Sequence, residues 1–328
     1  MVRVFLTGAG GMLGNSILRE LLKRDFMVTA LYLPKEKIAE IKNKNFFPVI
    51  GNILDPTKMI ELTDGIDFII NAAASTSVWP SRNELTKRIN IDGVLNLVSA
   101  AKKNNIKRFI HIGTANSFAP GSKENPGVET NPYDAWKFKL DYIDSKYEIQ
   151  KILLNEHKNN NFPILIINPG YMIGPFDYGP SSGKMILNLF LNKIPGYVAG
   201  GKSFVCSKDV ASAAVNGLSI GRIGECYIAG GENLSYKEFF MKVNGVLNRP
   251  FKLKRIPSFF ILTYGLINTV IAYFTRKAPD LSFPLAKIGL VEQYYSSEKI
   301  RRELQMPNTP IEKGITECIE WFKENKYC

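Results

Sequence analysis

Tyrosine and lysine recur four positions apart in the segment YDAWKFKLDYIDSKYEIQK, residues 133–151. Three pairs have this spacing: Tyr133/Lys137, Tyr142/Lys146 and Tyr147/Lys151. In a helix, residues i and i+4 lie on one face, so each pair could bring a phenol beside an ammonium group. A free phenol has a pKa near 10, and proton transfer near neutral pH asks for a shift of roughly three units, or about 4 kcal/mol. One exposed lysine does not provide that stabilisation, so a working pair is expected in a dry cleft.

The elements that would position such a pair alternate along the first half of the chain. Apolar runs of strand length occupy residues 2–6, 27–33, 46–50, 66–71, 107–112 and 163–168. Helical patterns lie between them, at about 12–24, 35–43, 56–62, 84–104 and 142–158. Strands that alternate with helices indicate parallel βαβ units. The predicted fold class is therefore α/β, with a doubly wound parallel sheet.

The first predicted strand runs into the loop TGAGGMLG, which opens the first helix. The glycines Gly8, Gly11 and Gly14 let the backbone approach a pyrophosphate, whose charge then meets free N–H groups at the helix N-terminus. Because these glycines lie between a strand and a helix at the start of a βαβ series, they predict dinucleotide binding. Met12 and Leu13 in the same loop are expected to contact the cofactor as well.

The end of the second predicted strand bears on the choice between NAD and NADP. A site that prefers NAD usually offers a carboxylate to the ribose hydroxyls there. Leu31, Tyr32 and Leu33 occupy the strand end instead, and Lys35 and Lys37 follow them. Since no carboxylate is in place and the lysines could meet a 2′-phosphate, the sequence favours NADP over NAD. Tyr32 and Lys35 are then expected beside the cofactor.

The pattern becomes irregular after residue 169. A segment rich in glycine and proline, residues 170–183, is typical of a loop over a site. Mixed helices and short strands follow it, among them a strand near 225–229 and a terminal helix near 310–325. We therefore predict a Rossmann-type cofactor-binding domain over residues 1–169. Residues 170–328 are expected to form mainly a smaller substrate-binding lobe, partly interleaved with it.

The longest apolar run is FFILTYGLINTVIAYF, residues 259–274. Its 16 residues fall short of the roughly 20 that span a bilayer, and Asn268 lies inside it. Basic residues flank the run on both sides, which leaves interfacial membrane association open. We interpret the run as a buried helix or the interface of a homodimer, and expect no membrane association.

Composition excludes several classes of function. The net charge is +12, but the basic residues are spread along the chain without a block of like charges, and no DNA-binding motif accompanies them. We therefore expect a solvated basic surface and no nucleic-acid partner. Four scattered cysteines and two histidines predict neither a disulfide framework nor a metal site. No signal peptide is visible before the first strand pattern, so a cytoplasmic location is expected.

The spacing TGxxGxxG followed by Tyr-x-x-x-Lys resembles the extended short-chain dehydrogenase/reductase family along nearly the whole chain. The resemblance implies a catalytic Ser or Thr after strand five, which maps to Thr114 in HIGTANSF. It also implies further cofactor contacts at Asn52, Ile53, Ala72, Ala73, Ala74 and Pro169. The segments IINPGYMIGPFDYGPSSGKMI and GRIGECYIAGGENLSYKEF are similar to the dihydroflavonol-reductase-like branch, including members labelled hopanoid-associated sugar epimerases. The substrate is then expected beside Ser75, Trp79, Thr114 and Tyr171.

Three features favour Tyr142 and Lys146 as the catalytic pair. Ser145 directly precedes Lys146, as the family favours. The 17 residues from Lys146 to Pro163, where the next strand begins, suit one helix and a short loop. The gap of 28 residues between Thr114 and Tyr142 resembles this branch, which inserts a segment before its catalytic helix. Tyr133 stays open as an alternative, since a helix could also begin just before it.

The expected activity is an NAD(P)-dependent interconversion of a ketone and a secondary alcohol on a small molecule. Tyr142 would donate the proton, Lys146 would lower its pKa and Thr114 would polarise the carbonyl. A nucleotide-sugar 4-epimerase that uses tightly held NAD and the same residues is the alternative, and a non-catalytic cofactor-sensing protein is a remote one. Ala115 and Asn116 follow Thr114 where sugar dehydratases of the family carry Asp-Glu, which argues against dehydration.

Overall fold

A parallel sheet forms the centre of the protein in a computed structural model, which describes residues 2–328. The strands in chain order are β1 Arg3–Thr7, β2 Met27–Tyr32, β3 Phe46–Ile50, β4 Phe68–Asn71, β5 Arg108–Ile112, β6 Ile164–Pro169, β7 Tyr171–Ile173, β8 Gly196–Tyr197, β9 Gly201–Cys206, β10 Cys226–Ala229, β11 Glu232–Ser235, β12 Lys254–Arg255 and β13 Glu292–Gln293. Seven of them form the central sheet in the order β10-β6-β5-β4-β1-β2-β3, with parallel pairs throughout. The order reverses at β1, and ligands of such sheets bind at the carboxyl ends of the strands beside that point. The predicted fold class is confirmed.

Helices cover both faces of this sheet. The helices of residues 2–328, in chain order, are α1 Met12–Lys23, α2 Pro56–Leu62, α3 Glu84–Asn90, α4 Asp92–Lys103, α5 Asp141–Asn160, α6 Lys184–Phe190, α7 Ser207–Asn216, α8 Tyr236–Val246, α9 Ser258–Thr275, α10 Phe283–Gly289, α11 Glu298–Leu304 and α12 Ile311–Glu324. Several begin at side chains that accept a hydrogen bond from the first turn. Asp55 caps α2, Asn83 caps α3, and Ser235 forms a capping box with Glu238 at α8.

Two apolar cores lie on opposite faces of the central sheet. On one face α1 and α7 pack together, with buried residues such as Leu18 and Val210. On the other, α4 and α5 contribute residues such as Leu97 and Ile149. Helices buried against both faces of a parallel sheet are the arrangement that the alternating strand and helix patterns predict.

A second, smaller sheet lies in the C-terminal half of the chain. It has the order β11-β9-β13, with β7 paired to β9. Helices α6, α8 and α12 cover it with an apolar core around Phe204, Phe239 and Phe322. The same half of the chain returns to the central sheet through β10, beside β6, and through α7, which packs on α1. The predicted division between residues 169 and 170 stays a prediction.

Two predicted helices differ from the structure. Residues 35–43 form an irregular segment instead of a helix. The backbone has a positive φ of 75° at Lys35, and the Glu36 carboxylate accepts a hydrogen bond from the Leu33 N–H at 2.7 Å, which folds the segment back on the strand end. The single helix expected over 84–104 is divided at Ile91, whose φ and ψ of −110° and −67° separate α3 from α4.

The apolar run 259–274 is not buried within the chain, and the other predicted role, a homodimer interface, stays a prediction. The run forms α9, in which only Gly265 and Ala272 are buried. Of the helices in residues 2–328, α9 is the one long and apolar enough to cross a membrane by length and composition. An apolar sequence predicts a helix of this kind, but it does not say what covers the helix.

Candidate active site

The glycine loop lies between the end of β1 and the start of α1. Gly8 has a φ of +73°, and a Cβ there would meet the Ala72 backbone at 2.6 Å. A Cβ on Gly14 would lie 1.9 Å from the carbonyl oxygen of Gly8. Gly11 forms the N-cap of α1 and no side chain caps the helix, so the first turn presents its N–H groups to a ligand. The loop therefore fits an anion at the helix N-terminus.

A cleft of about 520 Å³ extends from this loop to α5. Nine of the residues predicted to hold the cofactor line it: Gly8, Gly11, Met12, Leu13, Gly14, Ala72, Ala74, Tyr142 and Lys146. The glycine-rich segment predicted to cover the site lines it as well, through residues such as Met172 and Tyr178. Asp177 shapes this segment by accepting hydrogen bonds from Ser181 and from the Gly183 N–H at 2.9 Å.

The other predicted cofactor residues do not line the cleft. The Tyr32 side chain lies in the apolar core, where its hydroxyl faces the Ala39 N–H and burial raises its pKa, so its prediction as a cofactor contact is corrected. Lys35 is exposed outside the cleft, contrary to the predicted contact. Four more are not among the residues that line the cleft: Asn52, Ile53, Ala73 and Pro169.

A carboxylate stands where the sequence predicted none. Glu36 lines the cleft beside Lys37, and a Cβ on Gly10 would lie 3.0 Å from the Glu36 carboxyl carbon. The prediction that no carboxylate is in place was based only on the strand end at residues 31–33, and Glu36 lies beyond it. The following segment folds back and brings Glu36 over the glycine loop.

Tyr142 and Lys146 lie on the first turns of α5 and both line the cleft. Lys146 is 4% exposed, and its Nζ donates a hydrogen bond to the Ile112 carbonyl at 2.7 Å. Burial lowers the pKa of Lys146 to about 7. Burial also raises the pKa of Tyr142, and the nearby Thr114 side chain opposes this shift. In the protein alone the phenol is therefore held protonated at neutral pH.

Thr114 is fixed at the carboxyl end of β5. Its N–H donates to the Asn168 side-chain oxygen at 3.0 Å, and its hydroxyl accepts from the Asn116 N–H at 3.3 Å. A second amide, Asn90, accepts from the Ser75 N–H at 2.8 Å and donates to the Ser145 hydroxyl at 3.0 Å. These contacts position the threonine hydroxyl and α5 relative to the sheet.

The other two tyrosines of the opening segment are engaged elsewhere. The Tyr133 hydroxyl donates to Asp144 at 2.5 Å, and its ring stacks on Tyr147 with centroids 4.0 Å apart. Burial and this carboxylate raise the pKa of Tyr133. Because α5 begins only at Asp141, Tyr133 lies outside the helix and the i, i+4 argument does not apply to it. Of the three pairs, only Tyr142/Lys146 lines the cleft.

The predicted substrate residues lie in different surroundings. Ser75 is held by Asn90 and by the Thr86 hydroxyl at 2.9 Å, and Trp79 is half-buried. The Tyr171 ring packs edge-on against Phe204 in the core of the smaller lobe. Its hydroxyl donates to the Ser182 carbonyl at 3.2 Å, so the structure corrects the prediction that it faces substrate.

A half-buried cation near Thr114 was not foreseen. The Lys202 ammonium donates to the Gln293 side chain, which donates in turn to the Asn116 side-chain oxygen at 3.0 Å. Burial lowers the pKa of Lys202 to about 7. Nothing in the sequence distinguishes this lysine from the other basic residues, because Gln293 and Asn116 come from two distant segments of the chain.

His111 belongs to the support of the site. Its Nδ1 lies 3.1 Å from the Asn71 amide nitrogen, and the Thr7 hydroxyl donates to the Asn71 amide oxygen at 2.6 Å. Complete burial lowers the pKa of His111 well below its usual value, so the ring is neutral.

Comparison with known proteins identifies the family. Residues 4–219 match the model of the NAD dependent epimerase/dehydratase family. The chain belongs to this family. It is an NAD(P)-dependent enzyme of the extended short-chain dehydrogenase/reductase type, and the resemblance found in the sequence is confirmed.

This protein is similar over nearly its whole length to several known proteins. It is 26% identical over 330 residues to a putative dihydroflavonol 4-reductase of Synechocystis sp., covering 98% of this chain and 95% of that protein. It is 22% identical over 324 residues to sterol demethylase protein B of Methylococcus capsulatus, covering 97% and 98%. The solved structure of gox2253 matches with a TM-score of 0.86 at 26% identity, over 99% of both chains.

Proposed function

We propose that the protein is a ketone reductase that also runs as a secondary-alcohol dehydrogenase, with Tyr142 as its general acid and base. One observation supports this above all: a phenol whose pKa is raised by burial lines the cleft that contains the glycine loop, and the Thr114 side chain is close to it. Two hydroxyl donors at one point bind and polarise a carbonyl oxygen. A phenol that stays protonated at neutral pH is suited to giving that oxygen a proton.

The residues present fit a dinucleotide. Gly8 and Gly14 have no room for a side chain, and the uncapped N-terminus of α1 receives a pyrophosphate. Lys146 and Tyr142, at the other end of the cleft, would hold the nicotinamide side. When bound, NAD(P)H supplies the hydride for the carbonyl carbon.

The proton is supplied by the protein. Tyr142 passes its hydroxyl proton to the carbonyl oxygen, so the ketone gains a hydride at carbon and a proton at oxygen. The phenolate left behind is stabilised by the Lys146 ammonium on the next turn and by the Thr114 hydroxyl. Because the pKa of Lys146 is about 7, this lysine is able to give a proton back to Tyr142 at neutral pH. Its hydrogen bond to the Ile112 carbonyl keeps the ammonium in place.

For the cofactor we propose NAD, in place of the NADP that the strand end favours. Glu36 supports this, since its carboxylate lies at the glycine loop and lines the cleft. A carboxylate there accepts hydrogen bonds from ribose hydroxyls and repels a 2′-phosphate. Lys37 also lines the cleft, and its positive charge would instead attract a 2′-phosphate.

The substrate we propose is an apolar ketone or alcohol. The apolar cluster around Tyr142 includes Val78, Phe138, Leu285 and Ile288. Such surroundings bind an apolar group and offer few hydrogen-bond partners to the hydroxyl groups of a sugar. The names of the two relatives, a dihydroflavonol reductase and a sterol demethylase protein, support the same class.

A cytoplasmic location, as expected from the sequence, is part of the proposal, and a homodimer stays a prediction.

The test combines cofactor identification with a substrate panel. The purified protein is denatured and any released nucleotide is identified. The intact protein is then given NADH or NADPH with apolar ketones in one series and nucleotide sugars in the other, while nicotinamide absorbance is followed. We expect oxidation of the reduced cofactor with at least one apolar ketone. Retained NAD, no net absorbance change and interconversion of two nucleotide sugars would establish the epimerase instead.

A further inference from the structure

The outward face of α9 bears an uncovered group of large apolar side chains. The exposed members are Phe259, Phe260, Tyr264, Leu266, Ile267, Val270, Ile271, Tyr273 and Phe274. Aromatic residues lie at both ends of the helix and aliphatic ones in the middle. A continuous apolar patch of this kind marks a surface that binds something.

The inward face of α9 is narrow and closely packed. A Cβ on Gly265 would lie 2.8 Å from the Ala286 side chain, so α9 contacts α10 directly. The Thr269 hydroxyl accepts a hydrogen bond from the Phe283 N–H at 2.8 Å and donates to the Gly265 carbonyl at 2.7 Å. Gly265, Thr269 and Ala272 form one stripe along the helix, so α9 lies along the protein body.

Positive charge surrounds both ends of the patch. Lys252, Lys254 and Arg255 precede the helix and Arg276 and Lys277 follow it, all exposed. Residues 239–279 contain no Asp or Glu. A positively charged surface of this kind is complementary to an anionic one.

We propose that α9 is an in-plane anchor that docks the protein on an anionic lipid bilayer. An apolar helix face with aromatic and basic residues at its ends is the composition of an interfacial helix, in which the apolar side chains enter the acyl boundary and the basic ones meet headgroups. The helix lies on the bilayer and does not cross it, since α10 covers its inward stripe. A second copy of the chain is a poorer occupant, because a two-fold contact would bring like-charged ends together.

The docking surface lies close to the proposed catalytic site. Helix α10, which α9 covers, contributes Leu285 and Ile288 to the apolar cluster around Tyr142. In the docked protein, α9 would thus lie between the bilayer and the α10 residues of this cluster. This consequence rests on the proposed function: an apolar substrate dissolved in lipid is then within short reach of the site. Docking itself is measured without turnover, so its failure and that of the proposed function are distinguishable.

The experiment is vesicle flotation of the full chain. Vesicles of phosphatidylcholine alone are compared with vesicles that also contain phosphatidylglycerol, at low and high salt. We expect flotation with the anionic vesicles, weakened by salt. Lys254→Gln/Arg255→Gln should weaken partitioning by ~10-fold, since each basic residue near the surface contributes several-fold. Ile267→Asp should weaken it by ~10-fold or more, because a charge replaces a buried aliphatic group.

Matched controls come from other exposed positions. Lys42→Gln/Lys44→Gln removes two exposed charges, and Leu85→Asp changes an exposed apolar residue of α3. Both controls should float like the original protein, and unchanged thermal melting of all variants shows that they are folded. The proposal is overturned if the protein floats with neither vesicle, or if the controls lose as much binding as the α9 variants. It is also overturned if Ile267→Asp splits a stable dimer of a chain that does not bind vesicles.

Discussion

Lys146 is a buried cation and Lys202 a half-buried one, and hydrogen bonds link both to segments next to Thr114. Burial alone lowers the pKa of each to about 7. Both ammonium groups are held by neutral partners: a carbonyl for Lys146 and an amide for Lys202. Their burial therefore costs stability whenever they are charged.

This burial predicts how the stability of the cofactor-free protein depends on pH. Below about pH 7 both lysines are protonated in the folded and the unfolded chain, and the cost of their burial is complete. Between about pH 7 and the unfolded pKa near 10.4, the unfolded chain binds more protons, so stability rises with pH. We expect the free energy of unfolding to increase from pH 7 to pH 9, by up to about 1.4 kcal/mol per pH unit for each lysine.

Lys146→Met tests the assignment of that slope. Urea denaturation of the original protein and the variant at several pH values gives the two slopes. The variant should rise about half as steeply, because Lys202 remains. An unchanged slope would show that Lys146 is not a buried titrating group.

Glu36 carries a prediction about cofactor choice. Glu36→Gln removes the negative charge at the glycine loop but retains a side chain of the same size. The ratio of kcat/KM for NADPH over NADH should increase by ~10-fold, which corresponds to about 1.4 kcal/mol less repulsion of a 2′-phosphate. Glu40→Gln, an exposed carboxylate on the same segment, is the control and should leave the ratio unchanged. A ratio that does not move in Glu36→Gln would restore the preference inferred from the strand end.

At the scale of structural elements, the turn between β1 and α1 has no room for a side chain at Gly14. Gly14→Ala places a methyl group 1.9 Å from the Gly8 carbonyl oxygen, so helix and loop must separate. Since the pyrophosphate site depends on that loop, we expect dinucleotide affinity to fall at least ~10-fold. Gly245→Ala in α8 is the control, because a Cβ there meets nothing within 4 Å and the residue does not line the cleft. Titration of intrinsic fluorescence with NADH measures both affinities, and equal losses would refute this account of the turn.

Elements with a strong local signal could be predicted from the sequence, and elements defined by distant partners could not. The βαβ order, the glycine loop and the start of α5 near Tyr142 follow from periodicity, chain distances and a family resemblance. Residues 35–43 looked helical, but Glu36 and Tyr32 instead hydrogen-bond the backbone of the strand end and of Ala39. The path of such a segment depends on tertiary contacts that local patterns do not encode.

At the scale of the whole molecule, the site is assembled from both halves of the chain. Gln293 and Lys202 of the smaller sheet reach Asn116 beside the catalytic threonine. Helices α9 and α10 extend from the same region to an uncovered apolar surface. The hydrogen bonds from Lys202 to Gln293 and from Gln293 to Asn116 join residues more than 80 positions apart, so spacing in the sequence could not reveal them. Together these features favour an enzyme whose apolar substrate enters near a lipid surface.

The central claim is that Tyr142 transfers the proton, and Tyr142→Phe tests it most directly. The variant is compared with Tyr133→Phe, whose lost hydroxyl contacts Asp144 outside the cleft. With a ketone that the original protein reduces, Tyr142→Phe should lower kcat by about 100-fold to 10,000-fold, the range of general acid catalysis, while NADH affinity stays within about twofold. Tyr133→Phe should retain most of its activity. Full turnover in Tyr142→Phe, or its loss in Tyr133→Phe alone, would contradict the account.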